Sequence, residues 1–217
     1  MKFNANKHSS KERKQTKFEL YQPIDKSMFW KMLRSELIQW RLNKTPIWNI
    51  PKRNRLIKKL FAKIDGNPLC CLSPIYAQQG NNTYIGKNFY CGYGCTFLDH
   101  AEIHIGDNVM LAPHVSLITV KHPVIPEQRI VRPMPNTFEP DGRGEFELIA
   151  PMKIGNNVWV ATGSIICPGV TIGDNANIGA GSVVTKDIPP NVIAFGTPCK
   201  VIRKITEEDR VNEDFSR

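Results

Sequence analysis

No run of apolar residues approaches the ~18 needed to cross a bilayer. The first residues, Met1-Lys2-Phe3-Asn4, are polar with no apolar stretch behind them, so neither an anchor nor a secretory leader is expected. The six cysteines, Cys70, Cys71, Cys91, Cys95, Cys167 and Cys199, contain no Cys-x-x-Cys pair. Without a leader a disulfide framework is not expected, and reduced thiols serving as small hydrophobes fit a cytoplasmic address. With 15 glycines and 16 prolines in 217 residues the chain falls short of the ~25–30 % typical of low-complexity sequence. What remains is 41 % apolar, enough for a core, at a length that suits one domain or one plus a small appendage.

Charge is unevenly spread. Residues 1–63 hold 17 Lys/Arg against 4 Asp/Glu, and residues 64–217 hold 12 against 16. No helix-turn-helix, zinc-finger or RNP pattern accompanies the basic region, so a solvated helical face with a loose basic tail is favoured over a nucleic-acid partner.

A six-residue period organises the rest. Aliphatic residues recur at Ile154, Val160, Ile166, Ile172, Ile178 and Val184, with small or β-branched residues two positions before the next: Val158, Ser164, Val170, Ala176 and Ser182. An earlier block runs Ile85, Cys91, Phe97, Ile103, then restarts two residues out of phase at Ile105, Leu111 and Leu117. A helix repeats near 3.6 residues and a simple strand at two, so neither explains six. Short strands joined by tight turns do, three to a coil, in a parallel β-helix. Its open ends need covering. Helices over 28–42 (Phe29, Leu33, Leu37, Trp40) and 54–64 (Leu56, Ile57, Leu60, Phe61, Ile64, with Asn54 as N-cap) are candidate covers, and Pro46 and Pro51 are expected to separate them.

The period fails between Leu117 and Ile154, in a segment rich in proline and glycine that starts Val120-Lys121-His122-Pro123-Val124. Long loops in compact domains are usually functional or disordered. His122 stands at that junction, while His104 and His114 fall on outward repeat positions and His8 lies in the tail.

At this point the chain resembles the hexapeptide-repeat acetyltransferases, closest to the maltose/galactoside O-acetyltransferases. The resemblance rests on Tyr84-Ile85-Gly86-Lys87-Asn88-Phe89-Tyr90, Ile105-Gly106-Asp107-Asn108-Val109, Lys121-His122-Pro123-Val124, Ile154-Gly155-Asn156-Asn157-Val158-Trp159 and Gly196-Thr197-Pro198-Cys199. It covers roughly residues 55–205 and implies a left-handed winding, a homotrimer with sites between subunits, and acetyl-CoA as co-substrate with no metal. His122 would be the general base. Trp159, Ala112, Thr162, Ala180, Thr185, Lys186, Lys200 and Arg203 would track the acetyl-CoA, with the Thr162 N–H as an oxyanion donor. The expected organisation is a basic flexible tail (1–20), a helical region (21–66), a catalytic β-helix (67–205) with an extended loop (123–150), and a C-terminal tail (206–217).

The departures concern the acceptor. Gly92 stands where sugar-acetylating members carry a transition-state asparagine, His100 follows Asp99 where an acceptor-binding aspartate is expected, and Gln78 replaces a small polar residue. Tyr90 and Asp99 remain candidate acceptor contacts. The expected activity is acetyl transfer to a hydroxyl of a sugar or glycan, without nucleic acid or membrane insertion. A xenobiotic hydroxyl is the alternative within the class. A zinc-dependent γ-type carbonic anhydrase using His100, His104, His114 and His122, or a non-catalytic scaffold, are the alternatives outside it.

Overall fold

The computed structural model describes residues 18–21, 26–131 and 144–211. Most of the expected basic tail, the middle of the extended loop and residues 212–217 lie outside these. Among the described residues no helix is long and apolar enough to cross a membrane.

The strands wind as a left-handed parallel β-helix with three faces. The first face stacks Lys63–Ile64, Thr83–Ile85, Ile103–Ile105, Met152–Ile154 and Thr171–Ile172. The second stacks Cys70–Cys71, Tyr90–Cys91, Met110–Leu111, Trp159–Val160 and Asn177–Ile178, and ends in the antiparallel hairpin Val192–Gly196/Cys199–Lys204. The third stacks Ile75–Ala77, Cys95–Leu98, Ser116–Ile118, Ile165–Ile166 and Val183–Val184. Every aliphatic of the six-residue series from Ile154 to Val184 is buried, as are the small residues two positions before each turn of the series. Each inward Ile or Val contributes roughly 1.5–3 kcal/mol. Burial raises the Cys71 thiol far above its ordinary range, which keeps it an inert packing group.

The corners between the first and second faces need a left-handed residue, and asparagine supplies it. Asn88, Asn108, Asn157, Asn175 and Asn191 all have φ between 54° and 59°. This is a region where asparagine is among the few non-glycine residues tolerated. Their side chains then bond coil to coil: Asn88 Nδ2 donates to Asn108 Oδ1 at 2.9 Å, Asn108 to Asn157 at 2.8 Å, Asn157 to Asn175 at 2.9 Å, and Asn175 to Asn191 at 2.8 Å. The preceding glycine is set by close stacking. A Cβ on Gly106 would lie 2.6 Å from Asn156 Oδ1 and 2.8 Å from the Gly155 carbonyl carbon.

The phase slip has a local cause. Ile154 pairs with Ile172, eighteen residues on, whereas Ile85 pairs with Ile105, twenty residues on. The extra length lies in the corner Asp99–Glu102, after which Ile103 and Ile105 both point inward.

Two helices close the first coil. The first, α1 (Lys26–Asn43), agrees with the expected 28–42. The second, α2 (Ile50–Leu60), does not agree with 54–64. Its cap is Asn49, whose side chain accepts from the Lys52 N–H, and Pro51 opens the helix instead of interrupting it, because the first turn needs no N–H there. Ile64 belongs to a strand. A further strand, Glu19–Tyr21, lies where the tail and helical region were expected to meet.

The helices satisfy the open backbone edge by side chains. Gln39 donates to the Ala77 carbonyl and accepts from its N–H, both at 2.7 Å, and Asn43 does the same for Ile75 at 3.1 and 3.0 Å. Ser35 donates to Ala77 O at 2.8 Å. Arg53, buried, donates to the carbonyls of Leu42 (3.3 Å), Thr45 (2.8 Å) and Cys71 (2.8 Å), and to Ser73 Oγ (2.9 Å). Arg53→Ala is therefore expected to lower the unfolding free energy by about 3 kcal/mol, since buried acceptors lose a charged donor. Urea denaturation of the full chain measures this, and an unchanged midpoint would contradict it.

Candidate active site

The chain leaves the β-helix at Thr119, whose side chain donates to Leu98 O at 2.7 Å and accepts from Ala101 N at 3.0 Å. Val120–Lys121 then pairs antiparallel with Glu147–Ile149, which pairs on its other edge with Glu19–Tyr21. His122 follows directly, at the corner between the third and first faces. The segment beyond is only partly loop: a short 3-10 turn at Pro126–Gln128 precedes the strand pair Ile130–Val131/Gly144–Glu145.

This brings a carboxylate to the histidine. His122 Nδ1 lies 4.0 Å from Glu145 Oε2, with the imidazole 49 % exposed. Catalytic hydrogen bonds are often long before substrate binds. A carboxylate beside Nδ1 favours the tautomer with its proton there, leaving Nε2 to accept another.

A second His–Glu pair lies below. His100 Nδ1 and Glu147 Oε2 are 2.6 Å apart and both side chains are buried. Tyr21 packs its ring 6.0 Å from the imidazole, and among the described residues the buried His100 Nε2 has no hydrogen-bond partner. The pair ties the strand beside His122 to the lengthened corner of the coil beneath. Asp99, next to it, is fully buried and its carboxylate accepts from the N–H groups of Gln79 (2.9 Å), Gly80 (3.1 Å) and Asn82 (3.2 Å) and from Thr83 Oγ1 (3.2 Å). Burial raises its pKa, opposed by those bonds. Both oxygens are thus engaged in holding the neighbouring turn, which accounts for Asp99 without an acceptor. Gln78, by contrast, lines an open groove at the end of the same face.

The remaining expected residues gather elsewhere. Ala112, Thr162 and Ala180 stack on the corner between the second and third faces. Thr162 Oγ1 donates to Pro113 O at 3.1 Å, and the Gly181 N–H donates to Thr162 O at 2.9 Å. The Thr162 N–H is bonded to no group among the described residues. Gly92 belongs to this edge, one coil below Ala112, and a Cβ on it would lie 2.5 Å from Pro113 N and 2.8 Å from the Ala112 carbonyl carbon. Close stacking thus accounts for glycine here. Tyr90 and Trp159 project outward from the second face on either side of Met110. Thr185 and Lys186 follow the last strand of the third face, exposed. Lys200 and Arg203 lie on the terminal hairpin, where Arg203 donates two bonds to Asp209, at 2.7 and 2.5 Å. Those bonds hold the Asp209 carboxyl far below its usual range and fold residues 206–210 back. Any phosphate reaching Arg203 would compete with Asp209.

The histidines are dispersed. His104 stacks on Tyr84 (4.9 Å, 6°) and His114 meets Tyr93 edge-on. Among the described residues of one chain, no three His, Cys, Asp or Glu side chains are grouped to hold a metal. Glu145 and Glu147 were not singled out from the sequence. Their alternation in Gly144-Glu145-Phe146-Glu147, after a proline-rich stretch, was the available signal of a strand.

This architecture has relatives. The family described as "Bacterial transferase hexapeptide (six repeats)" matches residues 151–186. The chain is 43 % identical over 180 residues to galactoside O-acetyltransferase of Escherichia coli K12, spanning 83 % of this chain and 82 % of that one. A solved galactoside acetyltransferase in complex with coenzyme A superposes with a TM-score of 0.78 at 39 % identity, covering 91 % of this chain and 92 % of its own. A maltose O-acetyltransferase from Clostridium difficile 630 gives 0.72 at 39 %, covering 88 % and 94 %. The chain belongs to the hexapeptide-repeat acetyltransferase family, among the relatives of the galactoside and maltose O-acetyltransferases.

Removing the buried carboxylate tests the second pair. Glu147→Ala should cost roughly 1–3 kcal/mol of stability, because it strands both nitrogens of a buried imidazole. Thermal melting compared with Glu127→Ala, an exposed residue of the same segment, measures it; equal melting temperatures would contradict the role.

Proposed function

We propose that the protein transfers the acetyl group of acetyl-CoA to a hydroxyl of a sugar or glycan, with His122 as general base. The observation that carries this reading is His122 beside Glu145, half exposed, at the point where the chain departs from the β-helix. The acceptor oxygen attacks the thioester carbonyl while its proton passes to Nε2 of His122. The tetrahedral oxyanion takes a hydrogen bond from the Thr162 N–H. The C–S bond then breaks, the thiolate recovers the proton, and the acetyl ester and CoA leave. An oxyanion donor of this kind typically supplies ~2.7–4 kcal/mol. Lys186, Lys200 and Arg203 are the cations for the CoA phosphates, with lysine at 200 giving a point charge in place of a bidentate fork.

Geometry also supports assembly. His122 and the Thr162 edge lie on different corners of one chain, separated by the third face, about 15–20 Å at the rise of an extended strand. A single reaction centre containing both requires His122 from one copy and the edge from its neighbour. A cyclic trimer with three such interfaces meets that need.

His122→Ala should lose two to four decades of kcat while acetyl-CoA still binds in calorimetry. Unchanged turnover would end the mechanism. Glu145→Gln should lower kcat roughly tenfold and alter its pH profile, leaving KM for acetyl-CoA unchanged. Sedimentation should give three times 24.6 kDa; an active monomer would contradict the interfacial site.

A further inference from the structure

The base of the column carries a surface that the transfer chemistry does not use. Ile75–Ala77 is the lowest strand of the third face, and α1 lies along its free edge through Ser35, Gln39 and Asn43. The opposite side of α1 therefore faces away from the β-helix, and it carries Trp30, Leu37 and Arg41 at helical spacing. Trp30 is 65 % exposed, and Leu37 is exposed beside it. Between the helices the turn Pro46–Asn49 holds out Ile47 and Trp48, and Ile50 follows at the start of α2. Trp48 is 80 % exposed, more than any other ring among the described residues. The turn is fastened at both ends. The Asn49 N–H donates to Pro46 O at 3.0 Å, Thr45 Oγ1 donates to Arg41 O at 2.7 Å, and Arg53 holds the Thr45 carbonyl. Apolar side chains fixed outward in this way contribute nothing to the core.

The charge around this tip has one sign. From Leu37 to Ile64 the chain has eight Lys/Arg and no Asp/Glu. Arg53 is buried, and Lys63 pairs with Asp65 at 3.0 Å. Because α2 turns Leu56, Ile57 and Leu60 inward, Lys52, Arg55, Lys58 and Lys59 stand exposed on its outer side. Among the described residues these four form no ion pair. A second copy set base to base would bring like charges together, which is costly. A nucleic acid would match the charge but leave Ile47, Trp48 and Ile50 in water. An anionic membrane meets both needs. It offers phosphates to the cations, and the boundary between headgroups and acyl chains to a short apolar tip with tryptophan.

We propose that the base of the column docks the protein on a membrane surface containing anionic lipid. The tip Ile47–Ile50 and Trp30 enter the interface, and the outer side of α2 meets the headgroup phosphates. This is adsorption to a surface and not a span, for which no described helix is long and apolar enough. It goes beyond acetyl transfer and does not depend on it. In a cyclic trimer with its columns side by side, the three bases would face the same way and engage one plane together.

The test sediments the full chain with vesicles of phosphatidylcholine alone, or with about a third phosphatidylglycerol. No acetyl-CoA is present, so the result is independent of the enzyme reaction. Binding to the anionic vesicles should be about tenfold tighter or more, and should weaken at high salt. Trp48→Ala should weaken it about tenfold. The double variant Arg55→Glu, Lys58→Glu should weaken it further. Both should keep the melting temperature and sedimentation mass of the parent. Brominated acyl chains should quench the tryptophan emission, and Trp48→Phe should remove part of that quenching. Absence of binding to either vesicle overturns the proposal. Anionic binding that survives both variants belongs to the basic residues ahead of Glu19–Tyr21, and overturns it as well. Without vesicle binding, a Trp48-dependent doubling of mass would assign the surface to a second copy, and Trp48-dependent capture of duplex RNA would assign it to nucleic acid; either overturns membrane docking.

Discussion

Every coil must return to a fixed distance above the last while turning three times, and the hydrogen-bonded stacking of strands enforces that distance. The backbone alone cannot make the corners. A left-handed residue is required at each turn from the first to the second face, and asparagine both accepts that conformation and bonds to the asparagine above it. With the spacing locked, every residue acquires a face, a height and an inward or outward direction. The apolar ladder inside and the reactive groups outside follow from that lattice.

Function concentrates where the lattice is broken. The corner at Asp99–Glu102 carries two residues more than the coil period of the second block, and the departure at Thr119 sits directly above it. The buried His100–Glu147 contact joins these two irregularities, so the strand leading to His122 is braced against the prism instead of hanging from it. Asp99 ties the corner to the turn of the coil beneath with four hydrogen bonds.

The core was legible because it is periodic: an inward position recurs every six residues, and each named member is buried. The two-residue slip at Ile103/Ile105 was visible, and its meaning, a lengthened corner, is a matter of counting. The ends of α2 were less legible. Proline at 51 reads locally as a breaker, yet it suits the first helical turn once Asn49 caps it. Least legible were Tyr21, His100 and Glu147, which meet across up to 126 positions of sequence with no shared local pattern. His122 was marked by its junction, but Glu145 was not, because contact between them depends on a strand pair that closes over twelve residues outside the described set. Trp40 shows the converse. In the sequence it is one apolar position of an amphipathic helix, and only the placement of that helix against the third face shows its ring left open.

The side chains of Ser35, Gln39, Asn43 and Arg53 occupy the edge of the first coil much as another strand would. A stack of coils has no internal reason to stop, since each level offers the next the same row of donors and acceptors. The two helices end it by impersonation. Growth of such a scaffold by whole coils would therefore have to occur between this plug and the levels that carry chemistry, which makes the height of the column adjustable without disturbing either.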